Sequence, residues 1–149
     1  KADSRATLVD ISSDAFDYGK KLAEDKGLTD RMTFIQGDVR DVHDKLPPHV
    51  DLVKMIGICE YLEDDQIGGI ADSLAEVMPA GSHIVFNSIS PMHGVDRFFR
   101  RVMGLHMIYR TPDDLKTILA ARGFGDFEVF REPLGVYHVV VAKRLGASE

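Results

Sequence analysis

The 149-residue sequence predicts an α/β domain: a mostly parallel sheet with helices on both faces, closed by a C-terminal antiparallel hairpin. Three observations predict it. Short apolar runs at residues 6–12, 32–36, 51–58 and 83–89 alternate with helical stripes, the order of parallel strands joined by helical crossovers. Capping residues and glycines fall between those runs, where helices must start and stop. The last two apolar runs are separated only by a short turn carrying Pro133 and Gly135, so they pair as a hairpin.

Residues 6–12, around "LVDIS", form a short apolar run of the kind found in strands covered on both faces. Ser13 is the expected helix cap, with Asp14 and Asp17 in the first turn where the helix dipole favours negative charge. Ala15, Tyr18, Leu22 and Lys26 mark one face of that helix, and Gly27 supplies its left-handed stop. Met32 to Gln36 is a second strand, followed by Gly37, Asp38 and Val39. Pro47 and Pro48 break the chain before a third strand, Asp51 to Ile58. Glu63, Asp64 and Asp65 open a helix whose stripe is Ile67, Ile70, Ala71, Leu74, Val77 and Met78. Pro79, Ala80 and Gly81 end it, and His83 to Ile89 is a fourth strand.

Thr111, Pro112, Asp113 and Asp114 combine a cap, a proline at the first helical position and acids in the first turn. Leu115, Ile118 and Leu119 face inward from this helix, and Gly123 ends it. Phe124 to Arg131 and Tyr137 to Lys143 are the hairpin strands. No repeat, low-complexity tract or linker interrupts the chain, so residues 1–149 read as one domain.

Eighteen basic against 24 acidic residues give a net charge of −6, which offers no general attraction to nucleic acid or to acidic membranes. No apolar run approaches the roughly 20 residues of a membrane span. The first residues are charged and lack the apolar core of a signal peptide. A single cysteine, Cys59, excludes an internal disulfide framework and suits a reducing, cytoplasmic setting. A parallel sheet binds ligands outside the carboxyl ends of its strands. Asp10 and Asp38 both fall at such ends, which explains why an apolar run should terminate on an acid.

These residues resemble the class I, Rossmann-like, S-adenosylmethionine-dependent methyltransferases. The resemblance runs from Thr7 to Arg144. "LVDIS" is similar to the family's second strand, "FIQGDVRD" (34–41) to its third and "DLVKMIGICEYL" (51–62) to its fourth. "MPAGSHIVFNS" (78–88) looks like the helix end and fifth strand, and "RTPDDLKTILAARGF" (110–124) like the last helix. The terminal hairpin, whose final strand inserts antiparallel, separates this fold from dinucleotide-binding domains.

The resemblance implies that S-adenosyl-L-methionine is the cofactor. Asp10 would take the ribose hydroxyls, because one carboxylate accepts two hydroxyl protons at once. Ile11 and Ser12 follow it, with Ile11 packing on adenine. Asp38, after Gly37, would accept from the adenine amino group, with Val39 on the ring's other face. Ile56, Gly57 and Glu60 would border the reacting sulfonium. The family's first strand and glycine-rich loop should precede Ala6, and five residues cannot supply them. The chain therefore reads as a partial domain from the second strand onward, which predicts strand edges open to homo-oligomer formation and weak cofactor binding by this stretch alone.

Two rivals remain beside the methyltransferase reading. A short-chain nicotinamide-dependent dehydrogenase needs a tyrosine followed four residues later by lysine. Tyr18, Tyr61, Tyr109 and Tyr137 are followed at that spacing by Leu22, Asp65, Asp113 and Val141. A non-catalytic binding module of the same fold is the other rival. Within methyltransferases, "GICEYL" lacks the paired prolines and aromatic of nucleic-acid amine methyltransferases, and Cys59 lacks the preceding proline of a cytosine nucleophile. "NSIS" (87–90) offers only Asn87 where a magnesium site needs grouped acids. The histidines show no ligand spacing, so no metal is expected.

Residues 91–110 carry Arg97, Arg100, Arg101 and Arg110 against Asp96, a local charge of +3 in an acidic chain. The resemblance makes this stretch a cover over the methyl acceptor. Asn87, Arg97 and Arg110 are the candidate acceptor contacts, and a small, anionic molecule is the class an arginine set favours. The charge is too small to argue for nucleic acid. A base is needed only for a protonated acceptor, and His93, His106 and Tyr109 are the candidates.

Overall fold

The computed structural model describes residues 4–41 and 43–146, and the chain falls into two units, Lys1–Pro48 and His49–Glu149, each with its own sheet. In the first unit, β1 (Ala6–Asp10) leads through α1 (Ser13–Asp25) to β2 (Met32–Gln36), and the strands pair in parallel with Asp10 opposite Gln36. In the second, β3 (Leu52–Met55), α2 (Asp64–Val77) and β4 (His83–Ile89) form another strand–helix–strand unit with a parallel ladder. α3 (Val95–Arg101) and α4 (Pro112–Ala120) follow, then β5 (Phe124–Arg131) and β6 (Tyr137–Arg144). The second sheet has the order β3-β4-β6-β5, with β6 antiparallel to both neighbours. The strand–helix alternation, the parallel ladders and the closing antiparallel hairpin are those the sequence predicts.

The first unit departs from expectation in its packing. Ser12, not Ser13, is the cap of α1, its hydroxyl accepting the Ala15 N–H at 3.3 Å. The expected face of α1 is also wrong: Tyr18 and Leu22 are exposed, while Phe16 and Ala23 are buried. The reason is close approach. Phe16 meets Phe34 of β2 edge-to-face, with ring centroids 5.5 Å apart, and a Cβ at Gly19 would lie 3.0 Å from the Phe34 ring. Small residues at 19 and 23 let the helix sit against β2, so its inward face carries little hydrophobic signal. β1 is not covered on both faces either. Its residues are largely exposed, because β2 is its only ladder partner among the described residues.

The core of the second unit lies between α2, α4 and one face of the sheet. Ile67 and Ala71 from α2 and Leu115 and Leu119 from α4 converge on Ile84 and Phe86 of β4. Glu63 and Gln66 form a capping box at the start of α2, and Thr111 and Asp114 form another at α4. β3 ends at Met55, three residues before the expected end, because the chain turns at Gly57, whose φ of +79° a side chain would strain. No helix among the described residues is long and apolar enough to cross a membrane.

Candidate functional site

In the first unit, Asp10 stands at the carboxyl end of β1 and Asp38 just past the end of β2. The Gly37 N–H donates to the Asp10 carbonyl at 2.9 Å and so brings the two strand ends together. Asp10 is exposed, and its Oδ1 accepts the Ser12 N–H at 2.8 Å. Among the described residues nothing else holds its second oxygen. Ile11 is 72% exposed, an apolar surface beside the carboxylate. The Ser12 hydroxyl serves as the helix cap.

Asp38 is held by Arg40. The Arg40 N–H and Nε donate to Oδ1 at 2.9 and 2.8 Å, and Nη2 closes on Oδ2. The side-chain bond, followed by the backbone bond, lowers the Asp38 pKa to about 2. Asp38 is therefore ionised at neutral pH, its direction set by Arg40, with Val39 half-buried beside it.

In the second unit, Asn87 of β4 holds the chain after β3: its Oδ1 accepts the Gly57 N–H at 2.7 Å. Ile56 is partly exposed. The short helical turn Cys59–Tyr61 then buries Glu60, whose carbonyl accepts the Ile108 N–H at 2.8 Å. Arg110 closes over this turn. Its Nη1 donates to the Cys59 carbonyl and its Nη2 to the Leu62 carbonyl, both at 2.7 Å, while Nε reaches Asp64 at 2.8 Å. Each nitrogen of this buried guanidinium has a partner within the fold.

Glu60, Asn87, Ser88 and Arg110 line one cleft, with Cys59, Ile89, Ile108 and Leu115 as its apolar walls. Ser88 Oγ lies 3.4 Å from His138 Nδ1, a buried pair that the sequence did not suggest because the two residues meet only through strand pairing. Burial pushes the Cys59 thiol up to about 12, with the Glu60 charge adding to the rise, so it is an inert apolar group at neutral pH.

The candidate bases lie apart from this cleft's lining. His93, at φ +58°, meets the Leu134 carbonyl at 3.1 Å, and His106 is exposed. Tyr109 is half-buried, its phenol pushed up first by burial and then by Asp96. Arg97, with Arg100 and Arg101, is exposed on α3. Among the described residues no His, Cys, Asp and Glu group could hold a metal ion.

Parallel strand–helix–strand units, with Asp10 ending β1, Asp38 just past β2 and an antiparallel last strand inserted beside β4, match the class I methyltransferase-like fold. The chain belongs to the family described as "Putative methyltransferase", whose model matches residues 1–144. Among curated proteins no sequence matches it. It is similar in fold to a possible exported protein from Bordetella parapertussis, with 16% identity, a TM-score of 0.82, and 95% of this chain covering 54% of that one. It is also similar to the S-adenosylmethionine-dependent methyltransferase SibL in its apo form, with 18% identity, a TM-score of 0.78, and coverage of 95% and 44%. Human N-acetylserotonin methyltransferase in complex with SAM aligns at 17% identity and a TM-score of 0.69, covering 95% and 41%. The chain spans about half the length of these solved proteins.

Proposed function

We propose that this chain takes part in S-adenosyl-L-methionine-dependent methyl transfer to a small-molecule acceptor. The observation that carries the reading is the pair of carboxylates at the end of β1 and just past the end of β2, tied together through Gly37 and flanked by the exposed Ile11. The fit to an adenosine group is chemical. Asp10 has a free oxygen for ribose hydroxyls, and Ile11 offers an apolar face to a base. Asp38, ionised by Arg40, keeps lone pairs for an amino proton. When bound, the cofactor supplies a methyl group already activated on a sulfonium. The chain's own task is then to bind and orient, since alignment supplies most of the rate in such a transfer.

Calorimetric titration of the full chain with S-adenosylhomocysteine, alongside carboxyl-carbon NMR of Asp10 and Asp38, tests the reading. Saturable binding with shifts at both carboxylates is expected. Absence of binding, or binding that leaves both signals unmoved, overturns it.

A further inference from the structure

The Asp38 carboxylate meets Arg40 on both of its oxygens. Oδ1 accepts the Arg40 N–H and Nε at 2.9 and 2.8 Å, and Oδ2 accepts Nη2. A tight helical turn, Val39–Asp41, brings the two residues together, its Asp41 N–H donating to the Asp38 carbonyl at 3.0 Å. A carboxylate offers about four lone-pair positions. Arg40 takes two on Oδ1 and one on Oδ2, and among the described residues no other group bonds the carboxylate. An acceptor position on Oδ2 therefore remains, and the side chain is 28% exposed, so a ligand group can reach it. Asp10 differs, since it gives Oδ1 to the Ser12 N–H alone and keeps Oδ2 whole. Asp10 can thus take a pair of donors on one oxygen, as a diol supplies, whereas Asp38 can take a single one.

We propose that Arg40 is a positioning residue whose fork aims the last acceptor position of Asp38, and so selects a ligand base that carries an exocyclic amino group. The choice of an adenosine-type ligand rests on the methyl-transfer reading above. A lone aspartate on an exposed turn samples several rotamers, and ordering it when a ligand arrives weakens binding. Two-point contact with a guanidinium removes most of that freedom beforehand, because the rigid fork matches a carboxylate. An exposed ion pair contributes little to folding, so the effect of Arg40 lies in direction rather than in stability. A base with hydrogen in place of the amino group brings no proton to Oδ2. Charge is not the lever, since an ordinary aspartate is already ionised at neutral pH. The other charged groups near the pair are Asp41, which adds to the pull on Arg40, Asp10 at the adjoining strand end, and His43, Asp44 and Lys45 on the following turn.

The test uses adenosine and purine riboside, which has hydrogen in place of the amino group, titrated by NMR on the full chain at neutral pH. Adenosine should bind about tenfold tighter, the scale of one hydrogen bond to a charged acceptor. In Arg40→Gln that preference should fall to about twofold or less, while the affinity for purine riboside stays within about twofold. Arg40→Lys keeps the charge and loses the fork, so the preference should fall there too. A preference that lysine retains would assign the effect to charge and overturn the proposal. Carboxyl-carbon NMR shows whether the pair forms in solution: Asp38 should titrate at about 2 in the natural chain and higher in Arg40→Gln. An Asp38 titration that the variant leaves unmoved overturns the proposal, as does adenosine that fails to bind or binds no better than purine riboside. Tighter adenosine binding by Arg40→Gln overturns it as well, since the arginine would then block Asp38. S-adenosylhomocysteine binding without any preference between the nucleosides would uphold methyl transfer and reject this role for Arg40. A preference that Arg40 controls, without S-adenosylhomocysteine binding, would uphold the role and reject methyl transfer.

Discussion

Arg110 Nη1 donates to the Cys59 carbonyl at 2.7 Å, across 51 positions of sequence. With the Leu62 carbonyl it stitches the start of α4 to the turn that carries Glu60. Arg110→Ala should cost about 3 kcal/mol in urea unfolding, since two carbonyls lose a charged donor. Asp64 is exposed, so Asp64→Asn should cost below about 1 kcal/mol. Arg110→Ala with unchanged stability would show that the guanidinium is free for a ligand.

Asp10→Ala should weaken S-adenosylhomocysteine binding by about 1–3 kcal/mol, the scale of lost charged hydrogen bonds. Ser12→Ala should do the opposite. It removes a helix cap, lowering stability by about 1 kcal/mol and leaving binding nearly unchanged. Calorimetry and thermal melting of the two variants separate these roles, and equal loss of affinity in both would reject the division.

The exposed arginines of α3 are the sequence's candidate contacts for an anionic acceptor. Arg97→Gln combined with Arg100→Gln should raise the KM of such an acceptor and leave S-adenosylhomocysteine affinity within about twofold. Parallel changes in both quantities would mean that the arginines serve only folding.

Cys59 gives a pH dependence of definite sign. Its thiol has a folded pKa of about 12 against an ordinary value of 9.0. Between those values the unfolded chain loses the proton that the folded chain keeps, so stability falls as pH rises through this interval. The urea midpoint should drop more between pH 8 and 10 for the natural chain than for Cys59→Ala. Equal drops would remove Cys59 as the cause.

Glu132 acts in the opposite sense. Its oxygens accept the Leu134 and Val136 N–H groups at 2.6 Å each and the Tyr137 N–H at 3.1 Å, which lowers its pKa. The hairpin turn is therefore held above the ordinary carboxylate pKa and released as pH falls through the depressed value. The protection of the Val136 amide, taken relative to its intrinsic exchange rate at each pH, should fall on acidification, and in Glu132→Gln it should already be low at neutral pH. Slow exchange in that variant would assign the turn's order to Gly135 and Pro133 instead.

Much of this architecture was legible in the sequence. The strands at 32–36, 83–89 and 124–131 coincide with apolar runs because turn residues bound each of them. The start of α4 was legible because its cap, proline and acids act locally. The inward face of α1 was not, since Gly19 and Ala23 matter by what they lack, which no hydrophobic count registers. At the candidate site, the acids beside the strand ends were legible from position alone. The engagement of Arg110 was not, because two of its partners are main-chain carbonyls, and every residue type offers one.

The place of β6 between β4 and β5 carries a consequence for biosynthesis. Its ladder with β4 joins His83 to Lys143 and Ile89 to Tyr137, so β4 cannot complete its pairing until the ribosome has released the segment near Arg144. The β1–β2 pair closes over a far shorter stretch and can form much earlier. During that delay β4, with the buried residues Ile84 and Phe86, travels with one edge bare. The nascent chain is thus most open to capture by a chaperone, or to pairing with a neighbouring chain, while residues 90–136 are being made.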